Sequence, residues 1–220
     1  AGLCRRPILA GLLACALLIA SGHLVARADA QGAAASGAKT PVSAIRLYVL
    51  DGGTIVGRNL ERYNLWNEPR DLSVAVFLVV HPKGVLLFDT GLGDRYVDGR
   101  EKPSDPAYTV RRTIASQLAE LGYLTTDVTY LAISHMHGDH VNGLYDAAGG
   151  AQFAKAKHFV QKSELEFWSQ SNPDLSRTPA LPDDWKKNVI QTCAKAASFL
   201  TPKCEKLGDG DTLADGIKAV

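Results

Sequence analysis

The chain's 220 residues carry 24 lysines and arginines against 23 aspartates and glutamates, a formal net charge of +1, and 46% of them are hydrophobic. That balance excludes a polybasic nucleic-acid or membrane-surface binder and a charge-rich disordered chain, and the length suits one domain with a sizeable core. With only six histidines and four cysteines, the places where they gather are informative.

Residues 1–30 read as a secretory signal peptide. Arg5 and Arg6 precede an apolar run from Ile8 to Ala20, and Ala28-Asp29-Ala30 places small residues for cleavage before Gln31. A transmembrane anchor is the competing reading, but about thirteen apolar residues fall short of the roughly 20 that a spanning helix needs. A lipoprotein signal ending at Cys15 is the other; the apolar run continues past that cysteine, which favours cleavage near Ala30. An exported protein, periplasmic or secreted, is therefore expected, with no membrane span. Losing Arg5, Arg6, Arg27 and Asp29 turns the charge from +1 to −1, so no nucleic-acid partner is expected either.

Residues 31–42, QGAAASGAKTPV, form a small-residue linker, and one domain is expected from 43 to 220. Segments 45–50 and 54–57 flank Asp51-Gly52-Gly53, which predicts a hairpin. Segments 73–80 and 84–89 flank HPKG, a second hairpin whose strands are nearly all apolar and so belong to a sheet covered on both faces. His81 at that turn reads as a surface residue. A helix is predicted over about 108–121, with Val110, Ile114, Leu118 and Leu121 as its stripe and Gly122 as its stop. VTYLAIS (128–134) and KHFVQ (157–161) are strands, His158 reads as structural, and Ser163 is placed to cap a short helix through Trp168. Residues 171–183 are Pro-rich, an insertion or lid, before a helix from about Asp184 to Leu200 and short strands at the end. No internal repeat is present.

The stretch ISHMHGDHVNG, Ile133 to Gly143, holds three of the six histidines immediately after the carboxyl end of a buried strand, where open α/β sheets carry their catalytic loops. On an extended segment His135 and His137 point to one side and can grip one ion, and Asp139 and His140 can face a second beside it. Gly138 lets the backbone bend, and Gly143 suits close packing behind the loop. Imidazoles with a carboxylate suit zinc first, then manganese, iron or cobalt. Solvent-satisfied histidines are the bland alternative, disfavoured because adjacent imidazoles repel once protonated.

SHMHGDHVNG, preceded some 45 residues earlier by LLFDTGLGD, resembles the metallo-β-lactamase fold superfamily. Within it, RLYVLDGG, HFVQKSELEF and KLGDGDTL are similar to the N-acyl homoserine lactonase-like branch. The resemblance implies an α/β fold, an αββα sandwich of which this chain is the first two-thirds, with two zinc ions bridged by a hydroxide. It matches His135 and His137 to the first metal, Asp139 and His140 to the second, and Asp89 to a buried support of the metal loop. Asp139 is also expected to act catalytically, as a proton carrier. Asn142 stands where the family usually has a second glycine. The remaining ligands are expected beyond Val220, so the 220 residues alone are expected to be inactive.

The implied activity is a metallo-hydrolase opening a lactone such as an N-acyl homoserine lactone. Its rivals are a hydrolase of a thioester, phosphotriester or β-lactam on the same scaffold, and a non-catalytic or vestigial metal-binding domain. The partner in the first two is a small-molecule ester or lactone. In RNLERYNLWNEP, Arg58 to Pro69, the residues Tyr63, Leu65 and Trp66 are candidates for an acyl pocket or for closing the core edge. Cys4 and Cys15 leave with the signal, so Cys193 and Cys204, eleven apart in an exported protein, predict a disulfide rather than two separate buried thiols.

Overall fold

The computed structural model describes residues 44–58, 60, 68–99, 107–178 and 182–220. The expected signal peptide and linker, and Tyr63, Leu65 and Trp66, lie outside the described residues. A seven-stranded sheet, ordered β4-β1-β2-β3-β5-β6-β7, organises the domain. Its strands are β1 (Arg46–Arg58), β2 (Arg70–His81), β3 (Gly84–Phe88), β4 (Ala107–Thr109), β5 (Tyr130–Ile133), β6 (Lys157–Gln161) and β7 (Cys204–Leu207), with β8 (Thr212–Ala214) and β9 (Ile217–Lys218) pairing separately. The first part is antiparallel, while β3, β5, β6 and β7 run parallel, so their carboxyl ends share one edge.

The expected first hairpin is a single strand. Asp51-Gly52-Gly53 makes a bulge within β1, marked by a register shift against β2 between Asp51 and Thr54. Gly53 takes φ 111°, its N–H donates to Asp51 Oδ1 at 2.9 Å, and the far half of β1 finds a second partner in β4. Asp-Gly-Gly served the bulge because β2 is long enough to pair both halves of β1. HPKG does form the tight turn between β2 and β3. His81 is half-buried there and its Nδ1 accepts from Lys83 N at 3.1 Å.

The helix expected from 108 starts later. Residues 107–109 extend the sheet as β4, and α1 (Ile114–Glu120) begins after Thr113, whose hydroxyl accepts from Ser116 N at 2.9 Å. Ile114 and Leu118 are buried in the main core, whereas Val110 packs in a separate cluster with Leu92 and Tyr96. Gly122 ends the helix at φ 81°. The cap of α3 (Lys162–Trp168) is Gln161, accepting from Glu164 N, and not Ser163, because β6 passes directly into the helix. The described part of 171–182 is irregular with one turn at 176–177, and α4 (Asp183–Leu200) follows.

One sheet face is covered by α1, α3 and α4. Val76, Leu78, Leu87, Leu131 and Leu118 are each fully buried there, and α4 contributes Cys193, Ala196, Ala197 and Leu200. The two alanines let the helix lie close to the strands. The other face is covered in part: Leu86, Ala132 and Phe159 pack with Leu213 of β8 and Ile217 of β9. On that face Val79 and Leu86 of the expected hairpin are covered while Ala75 and Phe88 (37%) are exposed, and Leu47 and Val49 of β1 are bare, so among the described residues the cover expected on both faces is complete on one and partial on the other.

The Cys193–Cys204 disulfide is a further correction, since both thiols are free. Cys193 faces the core from α4 and its Sγ donates to Met136 O at 3.0 Å, while Cys204 opens β7. Burial pushes the Cys193 thiol up to about 12, which leaves it without thiolate character. His158 is 3% exposed in β6, edge-on to the Phe199 ring, and burial holds its pKa below the usual value.

Candidate metal centre

The site is built where β3 and β5 end side by side. Asp89 follows β3, and its N–H donates to Ala132 O at 2.9 Å, continuing the ladder one step. It then takes φ 65°, a left-handed conformation unusual for any residue but glycine, asparagine or aspartate, and this turns its carboxylate toward the end of β5. There it accepts three bonds of 2.8 Å, from Ser134 N, Ser134 Oγ and His140 Nδ1. With 3% exposure, the carboxylate is a buried charge whose partners replace its water.

The motif itself bends as its glycine suggests. His137 stands at the start of α2 (Gly138–Val141), a single turn that carries Asp139 and His140. The His135 and His140 rings lie 3.9 Å apart, and the His135 and His137 rings 4.8 Å, centre to centre. His140 uses Nδ1 for Asp89, and its Nε2 faces Asp139 Oδ2 at 3.3 Å. The structure thus brings His135, His137, Asp139, His140 and Asp89 into one cluster.

The backbone around the cluster is stitched to the Asp89-Thr90-Gly91 turn. Thr90 donates to His140 O through N–H (2.9 Å) and Oγ1 (2.7 Å), Gly143 N reaches Gly91 O at 3.3 Å, and Leu92 N reaches Gly52 O at 2.9 Å. A Cβ at Gly143 would sit 2.1 Å from Thr90 O, so glycine is the residue that permits this approach.

Electrostatically the three imidazoles are unequal. Burial, then the charges of His140 and His137, hold His135 below its usual pKa; burial does the same for His137. Burial also opposes charge on His140, but its bonds to Asp139 and Asp89 outweigh it and push that imidazole up to about 9. The same bond keeps Asp139 ionised against burial, below the usual carboxylate value. A proton on His140 therefore stands where a cation would relieve the cluster.

Three imidazoles and a carboxylate on one half-buried loop form a donor set for a divalent first-row ion, and the Asp89 bond fixes His140 with Nε2 presented, as metal-binding histidines commonly are. Among the described residues, no three His, Cys, Asp or Glu side chains already converge as a ligand group. Asp139 and His140 instead satisfy each other, and these two side chains must part to accept an ion.

Some of the support was not foreseen from sequence. Glu164 on α3 accepts from Met136 N at 2.7 Å and from Trp168 Nε1 at 2.8 Å, bracing the loop from behind. Trp168 and Trp185 stand 6.5 and 6.3 Å from the His137 ring, and Tyr108 of β4 feels the Asp139 charge. Only Ser134 carried a signal, its place directly before the motif.

The comparisons agree with this architecture. Residues 69–187 match the model of the metallo-beta-lactamase superfamily. An N-acyl homoserine lactonase, AttM, of Agrobacterium fabrum is 27% identical over 135 residues, covering 56% of this chain and 48% of that protein. A probable metallo-hydrolase of Mycobacterium tuberculosis is 36% identical over 77 residues, covering 32% and 25%. Among solved structures, AidC, a dizinc quorum-quenching lactonase in complex with a product, superposes with a TM-score of 0.60 at 22% identity, covering 78% of this chain and 60% of that one. A probable metal-dependent hydrolase from Staphylococcus aureus gives 0.57 at 20%, covering 78% and 62%. The chain spans about half the length of the AttM lactonases it matches. With more than half its residues inside the matched region and the signature histidines at the carboxyl edge of its parallel strands, the chain belongs to the metallo-beta-lactamase superfamily.

Proposed function

We propose that this is a zinc-dependent hydrolase that opens a lactone such as an N-acyl homoserine lactone, and that it acts after export. The observation that carries the reading is the cluster of His135, His137, Asp139 and His140 held from behind by Asp89. The names of its relatives support the substrate class, and the charged-then-apolar run of residues 1–30 supports export.

The four side chains would hold metal ions, which supply Lewis acidity and lower the pKa of bound water to about 7. Asp89 would keep His140 aimed with Nε2 outward. Asp139 would take the proton released by the attacking water and pass it to the departing alkoxide. Glu164 and the Thr90 bonds hold the loop so that these groups do not drift.

The test uses full-length protein, with zinc counted by elemental analysis. N-hexanoyl homoserine lactone, a glutathione thioester, a phosphotriester and a β-lactam are compared by kcat/KM. The lactone should be the best substrate, with turnover abolished by chelation and restored by zinc. A faster thioester or phosphotriester would overturn the lactone reading. Zinc bound without turnover of any substrate would leave a metal-binding domain, the rival that the unconverged ligands favour.

A further inference from the structure

A cleft of about 270 Å³ opens at Gly138, between the ligand-type neighbours His137 and Asp139, and runs along α4. Tyr96 and Tyr108 form one wall, meeting edge to face with ring centres 5.0 Å apart. Trp185 and Val189 of α4 line it too, and Trp185 links the cleft to the centre through its contact with the His137 ring, 6.3 Å away. The same helix adds two exposed carboxamides, Asn188 and Gln191. Aromatic and aliphatic surface therefore alternates with groups that both donate and accept.

We propose that this cleft binds the acylamide arm of the substrate, with Asn188 and Gln191 pairing with the amide and Trp185 and Val189 packing on a short acyl chain. The proposal rests on the lactone-opening reading and adds the feature of the substrate that is recognised. Carboxamide side chains complement an amide's C=O and N–H together, whereas a plain hydrocarbon arm would cover them without replacing their water. At about 270 Å³ the cleft has room for an amide and several acyl carbons.

The experiment has two arms, both on zinc-loaded full-length protein. In the first, an N-acyl homoserine lactone with a diazirine in a six-carbon acyl chain is photolysed and the labelled peptides are mapped. Label should fall within 182–193 and on the peptides holding Tyr96 and Tyr108. Label confined to other segments, or none, overturns the proposal, and this arm does not need turnover. If no lactone is hydrolysed, the reaction assigned above fails while the label map still decides the cleft. In the second arm, the advantage of N-hexanoyl homoserine lactone over α-hexyl-γ-butyrolactone, which has the ring and a six-carbon chain at the same ring position but no amide, is measured as a ratio of kcat/KM. Asn188→Leu and Gln191→Leu should each cut that ratio about tenfold through KM, the size of one net hydrogen bond. An unchanged ratio, or a loss carried by kcat alone for both lactones, overturns the assignment.

Discussion

Replacing Asp89 by asparagine keeps the shape of the side chain and removes a buried charge that accepts three bonds of 2.8 Å. In the metal-free protein, raising His140 from an unfolded value near 6.5 to about 9 corresponds to roughly 3 kcal/mol of folding stability, shared between Asp139 and Asp89. Because the folded pKa is the higher one, that contribution is complete below about pH 6.5 and is lost as pH rises through about 9. Adding the charge-assisted bonds to Ser134, Asp89→Asn should cost about 2–3 kcal/mol at pH 6. At pH 10 the neutral imidazole can accept from the new amide, and the cost should fall to about 1 kcal/mol. Urea unfolding followed by circular dichroism with chelator present, at the two pH values, reads both numbers. An equal cost at pH 6 and pH 10, or a larger one at pH 10, would refute the view that Asp89 acts through His140. With zinc present, the same variant should bind metal roughly 10- to 100-fold more weakly.

Gly143→Ala should lower stability by about 3 kcal/mol in thermal unfolding, because its Cβ would lie 2.1 Å from Thr90 O. Gly122→Ala, where the backbone is left-handed but the surrounding space is open, should cost only about 1 kcal/mol, and a Gly143→Ala loss no larger than that would mean that the close approach is relieved at little cost. Alkylation of the unreduced, denatured protein should modify both Cys193 and Cys204, whereas in the folded protein Cys193 should resist while Cys204 reacts; a Cys193–Cys204 peptide pair would contradict the packing of Cys193 against Met136.

Much of the site was legible because its chemistry is local. His135 to His140 lie within six positions, and the strand before them has an apolar pattern that fixes which sheet edge they reach. Asp89 could be placed beside them only through the family resemblance, since the pairing of β3 with β5 spans more than forty residues. Glu164 was illegible for the same reason: nothing near it in sequence says that its carboxylate will cap Met136 N. Boundaries failed where neighbours overrode local signals. Asp51-Gly52-Gly53 would turn an isolated ribbon, but β2 pairs beyond it on both sides. Residues 107–109 were counted into a helix by the apolar spacing of Val110 and Ile114, until β1 claimed them as an edge partner. The disulfide follows from an isolated cysteine pair in an expected exported protein, and neither feature reveals that Cys193 faces the protein core from α4.

The threonine and glycine bonds that tie the Asp89 turn to the histidine loop run mostly between main-chain atoms. Main-chain atoms are common to every residue, so this part of the chassis tolerates most substitutions, and the positions that matter are Thr90, the close-packed glycines and the carboxylates of Asp89 and Glu164. The cleft is the opposite case, its character written in side chains, those of Tyr96 and Tyr108 on one wall and those of α4 on the other. Inheritance can therefore redraw the lining of the cleft, one helical position at a time, without moving the histidine loop.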